Sequence, residues 1–177
     1  PLQPICGFLG PYVIALSKMQ GSLVVMGVSG CGKSTLAEAV AQLRGLPFVE
    51  GDAHHPPANL DKMREGIALT DADREGWLAT LADELSHAGA VVLSCSALKR
   101  CYRDQLRQAA PGLRFVFMDL SRGEAQRRVA ARGAAHFFHA GLVDNQFDTL
   151  ERPDGELGVL QVDATAPLPQ LLADVSA

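Results

Sequence analysis

An α/β domain, a parallel sheet covered by helices, is the fold class that this 177-residue sequence predicts. Three observations carry it. From Leu23 onward, short apolar runs alternate with amphipathic stretches, the strand-helix-strand rhythm that parallel pairing requires. A glycine-rich segment, Gly27-Val28-Ser29-Gly30-Cys31-Gly32-Lys33-Ser34, stands between the first apolar run and the first amphipathic one. The length suits one core, since a domain of this size buries roughly 70% of the surface its unfolded chain exposes.

In chain order, residues 1–18 come first. They are mildly apolar but broken by Pro4, Gly7, Gly10 and Pro11, too short and interrupted to span a bilayer and without the basic start of a signal peptide. They read as an extension that is poorly ordered or not native, with Met19 a natural first residue, ahead of a single domain over 19–177. Five strands are expected, Leu23 to Met26, Pro47 to Glu50, Ala90 to Ser94, Leu113 to Leu120 and Gly158 to Asp163, each rich in Val, Leu or Phe. After the first strand, Leu36, Ala39, Val40 and Leu43 recur at helical spacing, and Gly45 with Pro47 stops that helix. Thr70-Asp71-Ala72-Asp73 is a capping start for a helix whose apolar face is Trp77, Leu78, Leu81 and Leu85, with Gly89 as its stop. A further helix covers about Ala97 to Ala109, with Leu98, Tyr102 and Leu106 on one stripe. Gly123 to Arg132 reads as helical and leads into a short lid at about 133–142. Pro167 to Val175 forms the closing helix.

Composition narrows the function. The chain is 47% hydrophobic and 20% charged with a formal net charge of -4, so no basic field exists to hold nucleic acid, and no membrane partner is expected. The four cysteines, Cys6, Cys31, Cys95 and Cys101, sit at no metal-ligand or disulfide-framework spacing, which fits a reducing cytoplasm. A small anionic metabolite bound by local cations is the partner this balance suits.

The glycine-rich segment matches the pattern G-x-x-x-x-G-K-[ST] through Gly27, Gly32, Lys33 and Ser34, between a predicted strand and a predicted helix as the chemistry demands. Glycines let backbone N–H groups converge on one concavity, the helix N-terminus adds partial positive charge, and Lys33 reaches the outer phosphates of ATP. Ser34 offers its hydroxyl to Mg²⁺, and Thr35 follows at the same site. Motors and switches share such a loop, but they end a core strand with an acid that orders Mg²⁺. Here the third strand ends Leu93-Ser94-Cys95-Ser96, without a carboxylate. The acid is Asp52, after the second strand in Gly51-Asp52-Ala53-His54-His55-Pro56, where the carboxyl end of a parallel strand faces the ligand crevice. It is placed either to accept a proton from an attacking hydroxyl or to hold Mg²⁺ through water. His55 is suited to hydrogen-bond a polyhydroxy substrate.

The loop GVSGCGKS, the segment GDAHHP, the run Cys95-Ser96-Ala97-Leu98-Lys99 with Tyr102-Arg103-Asp104, and HFF with Gln146-Phe147 together resemble the gluconate kinase family over roughly Leu23 to Pro167. The resemblance implies a P-loop kinase fold like that of adenylate and shikimate kinases, with a five-stranded parallel sheet, helices on both faces and a short lid. It implies phosphorylation of D-gluconate by ATP to 6-phosphogluconate, and a homodimer. Carried over by position, Gly27 to Ser34 form the ATP phosphate site, and Asp52 and His55 belong to the sugar-acid pocket. Lys99, Tyr102 and Arg103 turn toward substrate, while Arg128 and Arg132 reach the phosphates from the lid. The lid, Arg132-Gly133-Ala134-Ala135-His136, departs from the family by one extra residue. A hydroxy acid independently needs a cation for its carboxylate and polar groups for its hydroxyls, a mixture that Asp52, His55, Asn59, Lys99 and Arg103 offer. Shikimate or nucleoside monophosphate phosphorylation is the alternative on the same fold, and a nucleotide-dependent switch is the alternative from another class.

Overall fold

The computed structural model describes residues 21–131 and 141–177. The extension 1–18, Arg132 and most of the expected lid lie outside the described residues. The strands are Leu23–Met26 (β1), Phe48–Glu50 (β2), Val92–Ser94 (β3), Arg114–Asp119 (β4) and Val159–Asp163 (β5). They form one parallel sheet in the order β2-β3-β1-β4-β5. Putting β1 at the centre aligns Val25 with Ser94 on one side and with Val116 on the other, so the carboxyl ends of the strands open along one edge.

Alternation along the strands makes two cores, because successive side chains point to opposite faces. On one face Leu23, Val25, Val116 and Met118 pack with Lys33–Arg44 (α1), Arg122–Ala131 (α5) and Leu168–Ser176 (α7) through Leu36, Val40, Val129, Leu171 and Val175. On the other face Val24, Met26, Phe115 and Phe117 meet Asp71–His87 (α3) and Arg100–Ala109 (α4) through Trp77, Leu81, Leu85 and Leu106. Helix α1 ends as expected at Gly45. Its φ of 64° allows the N–H of Leu46 to reach back to Ala41 and its own N–H to Gln42, closing the last turn. Helix α3 begins with the expected box: Thr70 Oγ1 accepts from the Asp73 N–H at 3.2 Å, and Asp73 Oδ2 accepts from the Thr70 N–H at 2.9 Å.

Three local features differ from expectation. Residues 97–99 are not the start of α4: Ala97 holds φ 42° and Lys99 is extended, so Cys95 to Lys99 form a loop at the carboxyl end of β3. A 3-10 turn at Gly51–His54 is followed by an unanticipated helix, Pro57–Arg64 (α2), which buries only Asn59 and Met63 and so lacks the apolar stripe that betrays a helix. Gly141 caps a second unanticipated helix, Leu142–Thr149 (α6), so Leu142, the last residue of the expected lid, is already helical.

Candidate active site

The phosphate loop follows β1 and ends in the first turn of α1. Gly27 has φ 143°, and a Cβ there would lie 2.9 Å from Met118 O, so β4 runs too close for any side chain. Lys33 is buried and its Nζ donates to Val28 O at 3.2 Å, arching back over the loop. The Ser29 N–H, one of the amides expected to meet phosphate, donates to Gln146 Oε1 at 2.6 Å, so a side chain from α6 sits in the phosphate cradle. Ser34 and Thr35 are exposed at the helix start. Cys31 and Cys95 are buried thiols, both pushed up by burial, Cys95 to about 12, which leaves neither as a thiolate near neutrality.

Asp52 rides on the 3-10 turn after β2. A Cβ on Gly51 would stand 2.2 Å from Ser94 O, so glycine is what lets this turn press against β3 and present Asp52 at the sheet edge. Trp77 Nε1 donates to Gly51 O at 2.8 Å, and the Trp77 ring stacks on His55 at 4.2 Å and 15°. Beneath the turn, Glu50 accepts a short hydrogen bond from Ser94 Oγ. Burial, and then the charge of Arg74, lower the His55 pKa from 6.5 to about 4, so the imidazole is neutral at physiological pH. Asn59 lies behind it, its Nδ2 bonded to Asp73 O at 2.7 Å and 3.4 Å from His55 Nδ1.

One pocket brings together Ser29 and Lys33 of the loop, Asp52, His55, and two groups that the sequence reading did not assign, Arg74 and Gln146. Arg74 shares the α3 face with Trp77, Leu78, Leu81 and Leu85, and a cation on an apolar face was the available signal. Gln146 was visible only as part of a motif. Arg128, half-buried on α5, donates to Gly30 O at 3.5 Å and Ala164 O at 3.1 Å. It thereby overhangs the loop beside a second cleft of about 210 Å³ that also touches Thr35 and Thr165.

Other expected substrate residues are placed elsewhere. Lys99 Nζ donates to both oxygens of Asp71 at 2.8 Å, and Tyr102 OH donates to Asp71 Oδ1 at 2.5 Å, a cluster that ties the start of α3 to α4. Arg103, expected to turn toward substrate, is 1% exposed, holds Glu156 through Nε and Nη2, and donates Nη1 to Ala97 O and Leu98 O. Four of the five donors of the guanidinium are thus directed at protein groups.

The chemistry of the donors bears on Mg²⁺. Among the described residues no group of three or more His, Cys, Asp or Glu could hold a metal alone. Mg²⁺ that arrives on a polyphosphate needs only one or two protein oxygens, and the exposed Ser34 hydroxyl with Asp52 fits that demand.

A phosphate loop between a parallel strand and its helix, with a carboxylate presented into the same pocket from the end of β2, the strand one beyond β3, defines a P-loop kinase. Comparison with known proteins agrees. The AAA domain family matches residues 23–153. A gluconokinase of Gluconobacter oxydans is 48% identical over 144 residues, covering 79% of this chain and 80% of that protein, and the thermoresistant gluconokinase of Escherichia coli is 40% identical, covering 85% and 88%. The crystal structure of a gluconokinase from Sinorhizobium meliloti 1021 superposes with a TM-score of 0.80 at 50% identity, covering 87% of this chain and 88% of that one. The chain belongs to the gluconokinase family.

Proposed function

We propose that this enzyme transfers the terminal phosphoryl group of ATP to the 6-hydroxyl of D-gluconate, yielding 6-phospho-D-gluconate and ADP. The observation that carries the reading is the single pocket in which Lys33 of the phosphate loop faces Asp52 and His55, in a chain 48% identical to a gluconokinase. The amides of Gly27 to Ser34 cradle the phosphates, Lys33 pairs with the outer ones, and Arg128 approaches across the loop at Gly30, with Arg132 further along the same segment. Asp52 accepts the proton of the 6-hydroxyl as O6 bonds to the terminal phosphorus and the bond to the bridging oxygen of ADP breaks. Mg²⁺, held by Ser34 and Asp52 together with the phosphates, would neutralise charge on the transferring group. Neutral His55, oriented by Trp77, hydrogen-bonds a substrate hydroxyl, and Asn59 positions His55. The cleft beside Thr35, Arg128 and Thr165 takes the nucleoside. A lid at about 133–142 closes over the reaction and excludes water.

Gln146 occupies a phosphate-binding amide, so nucleotide entry requires α6 to withdraw its side chain. We also propose a homodimer, to be checked by light scattering, and a cytoplasmic location, where ATP is supplied and the free thiols stay reduced. Among the described residues no helix is long and apolar enough to cross a membrane. The test of function is an ADP-release assay with gluconate, shikimate and AMP side by side, in wild type and Lys33→Met. Gluconate-dependent turnover that falls about a hundredfold or more in the variant is expected. Turnover indifferent to gluconate, or preserved in Lys33→Met, would overturn the reading.

A further inference from the structure

We propose that Arg74 is the group that recognises the carboxylate of the acceptor and makes the enzyme select an acid over a neutral polyol. The inference rests on the reading of the chain as a sugar-acid kinase. Arg74 lies in the first turns of α3, 8% exposed, in the wall of the pocket that holds Lys33 and Asp52. A guanidinium carries its charge throughout the physiological range and rarely stays buried without an anion. Here none of the ion pairs among the described residues includes Arg74. Nor can the remaining residues supply a carboxylate side chain, because neither 1–20 nor 132–140 contains an Asp or Glu.

What does hold Arg74 leaves an edge open. Nη1 donates to Leu69 O at 2.7 Å, and the guanidinium lies 5.9 Å from the centre of the Tyr102 ring. None of its nitrogens is both buried and without a partner, so those that bond no protein group reach solvent, and Arg74 lines the pocket. Asp71 feels the charge of Arg74 only as a minor influence, because its carboxylate is hydrogen-bonded by Lys99 and Tyr102. His55, stacked on Trp77 beside Arg74, is neutral and contributes a hydrogen bond without charge. An acyclic six-carbon acid carries its charge at C1 and its reacting hydroxyl at C6. A pocket with an unpaired cation and, separately, Asp52 with Lys33 suits both ends. The two other cations expected to do this, Lys99 and Arg103, are committed to Asp71 and Glu156.

The test compares gluconate with gluconamide, its neutral analogue, in wild type, Arg74→Met and Arg74→Lys. Wild type should favour gluconate. Arg74→Met should raise the KM for gluconate about a hundredfold, leave the KM for ATP within about twofold and abolish the preference over gluconamide. Arg74→Lys keeps the charge without the planar fork and should lose about tenfold. An unchanged KM for gluconate in Arg74→Met, or an undiminished preference for the acid, would overturn the assignment. Melting curves establish folding, and if Arg74→Met does not fold, the preference measured in Arg74→Lys decides. Should wild type ignore gluconate, the kinase reading fails but Arg74 is still testable by calorimetric titration with gluconate, shikimate and glycerate. An acid that binds wild type and not the variant supports Arg74, whereas equal binding, or none to either, refutes it.

Discussion

Replacing Arg103 with Met separates a structural role from a substrate role for a cation that sequence and structure assign differently. Arg103 spans 53 positions of sequence to hold Glu156, with Nε 3.1 Å from each carboxylate oxygen and Nη2 2.7 Å from Oε2. Nη1 also donates to Ala97 O and Leu98 O at 3.0 and 3.1 Å, pinning the loop in which Ala97 adopts positive φ. Burial alone would push the Glu156 carboxyl up, but the bonds from Arg103 and Arg107 outweigh it and hold it below the usual range. Removing Arg103 leaves Glu156, its side chain 8% exposed, with Arg107 alone, and strips two carbonyls of their donor. Breaking a buried pair from one side costs about 3–5 kcal/mol, and Arg107 keeps the loss near the lower figure. For a domain of this size that is a fall in Tm of roughly 6–12 °C. Scanning calorimetry on Arg103→Met, Glu156→Leu and the double variant should show the double variant losing less than the sum, the mark of a coupled pair. At a temperature where the single variant stays folded, its KM for gluconate should remain within about threefold of wild type. A melting point unchanged to about 1 °C together with a tenfold rise in that KM would refute the structural assignment.

Two other outcomes are accessible to the same methods. Gly51→Ala forces a Cβ against the Ser94 carbonyl and should cost about 1–3 kcal/mol or more while displacing Asp52, so turnover should fall further than the melting point alone accounts for; a stable, fully active variant would contradict the close packing of the turn. For His55 the sign follows from a folded pKa near 4 against 6.5 unfolded. Above pH 6.5 both states are neutral and nothing depends on pH. Between 6.5 and about 4 the unfolded chain takes up a proton that the folded site refuses, so acidification removes stability, by roughly 3 kcal/mol at most. Urea midpoints from pH 7.5 to 4.5 should fall more steeply for wild type than for His55→Gln, and parallel lines would show that the buried imidazole is not responsible.

Much of this enzyme was legible before any coordinates, for reasons that are local. A phosphate loop is written in backbone requirements: the close approach of β4 at Gly27 admits only glycine, and the cap of α3 needs an oxygen at Thr70 and a carboxylate three residues on. Those demands act on neighbours in sequence, so they appear as motifs. The five strands and Asp52 follow from the same rhythm of apolar runs and strand ends. Helices α2 and α6 escaped because each is 8 residues long with only two buried side chains, too few to set a period.

The division of labour among the cations was not local. Lys99 and Arg103 stand beside a recognisable motif, yet whether each is free for substrate depends on Asp71 and Glu156, 28 and 53 positions away. Motif proximity alone therefore does not say which arginine is free for an acid. A rule based on solvation does better: a charged residue at a buried helix position is tolerable only if something neutralises or hydrogen-bonds it. On α3, whose buried face is Trp77, Leu78, Leu81 and Leu85, the position one turn before Trp77 is Arg74, and the described fold provides it with a carbonyl but no carboxylate. The cost of keeping that charge in the pocket wall must be offset when the site is filled, and an acid placed there offsets it most directly. The feature that makes Arg74 look misplaced in the helix pattern is thus the same one that would give the enzyme its preference for an acid.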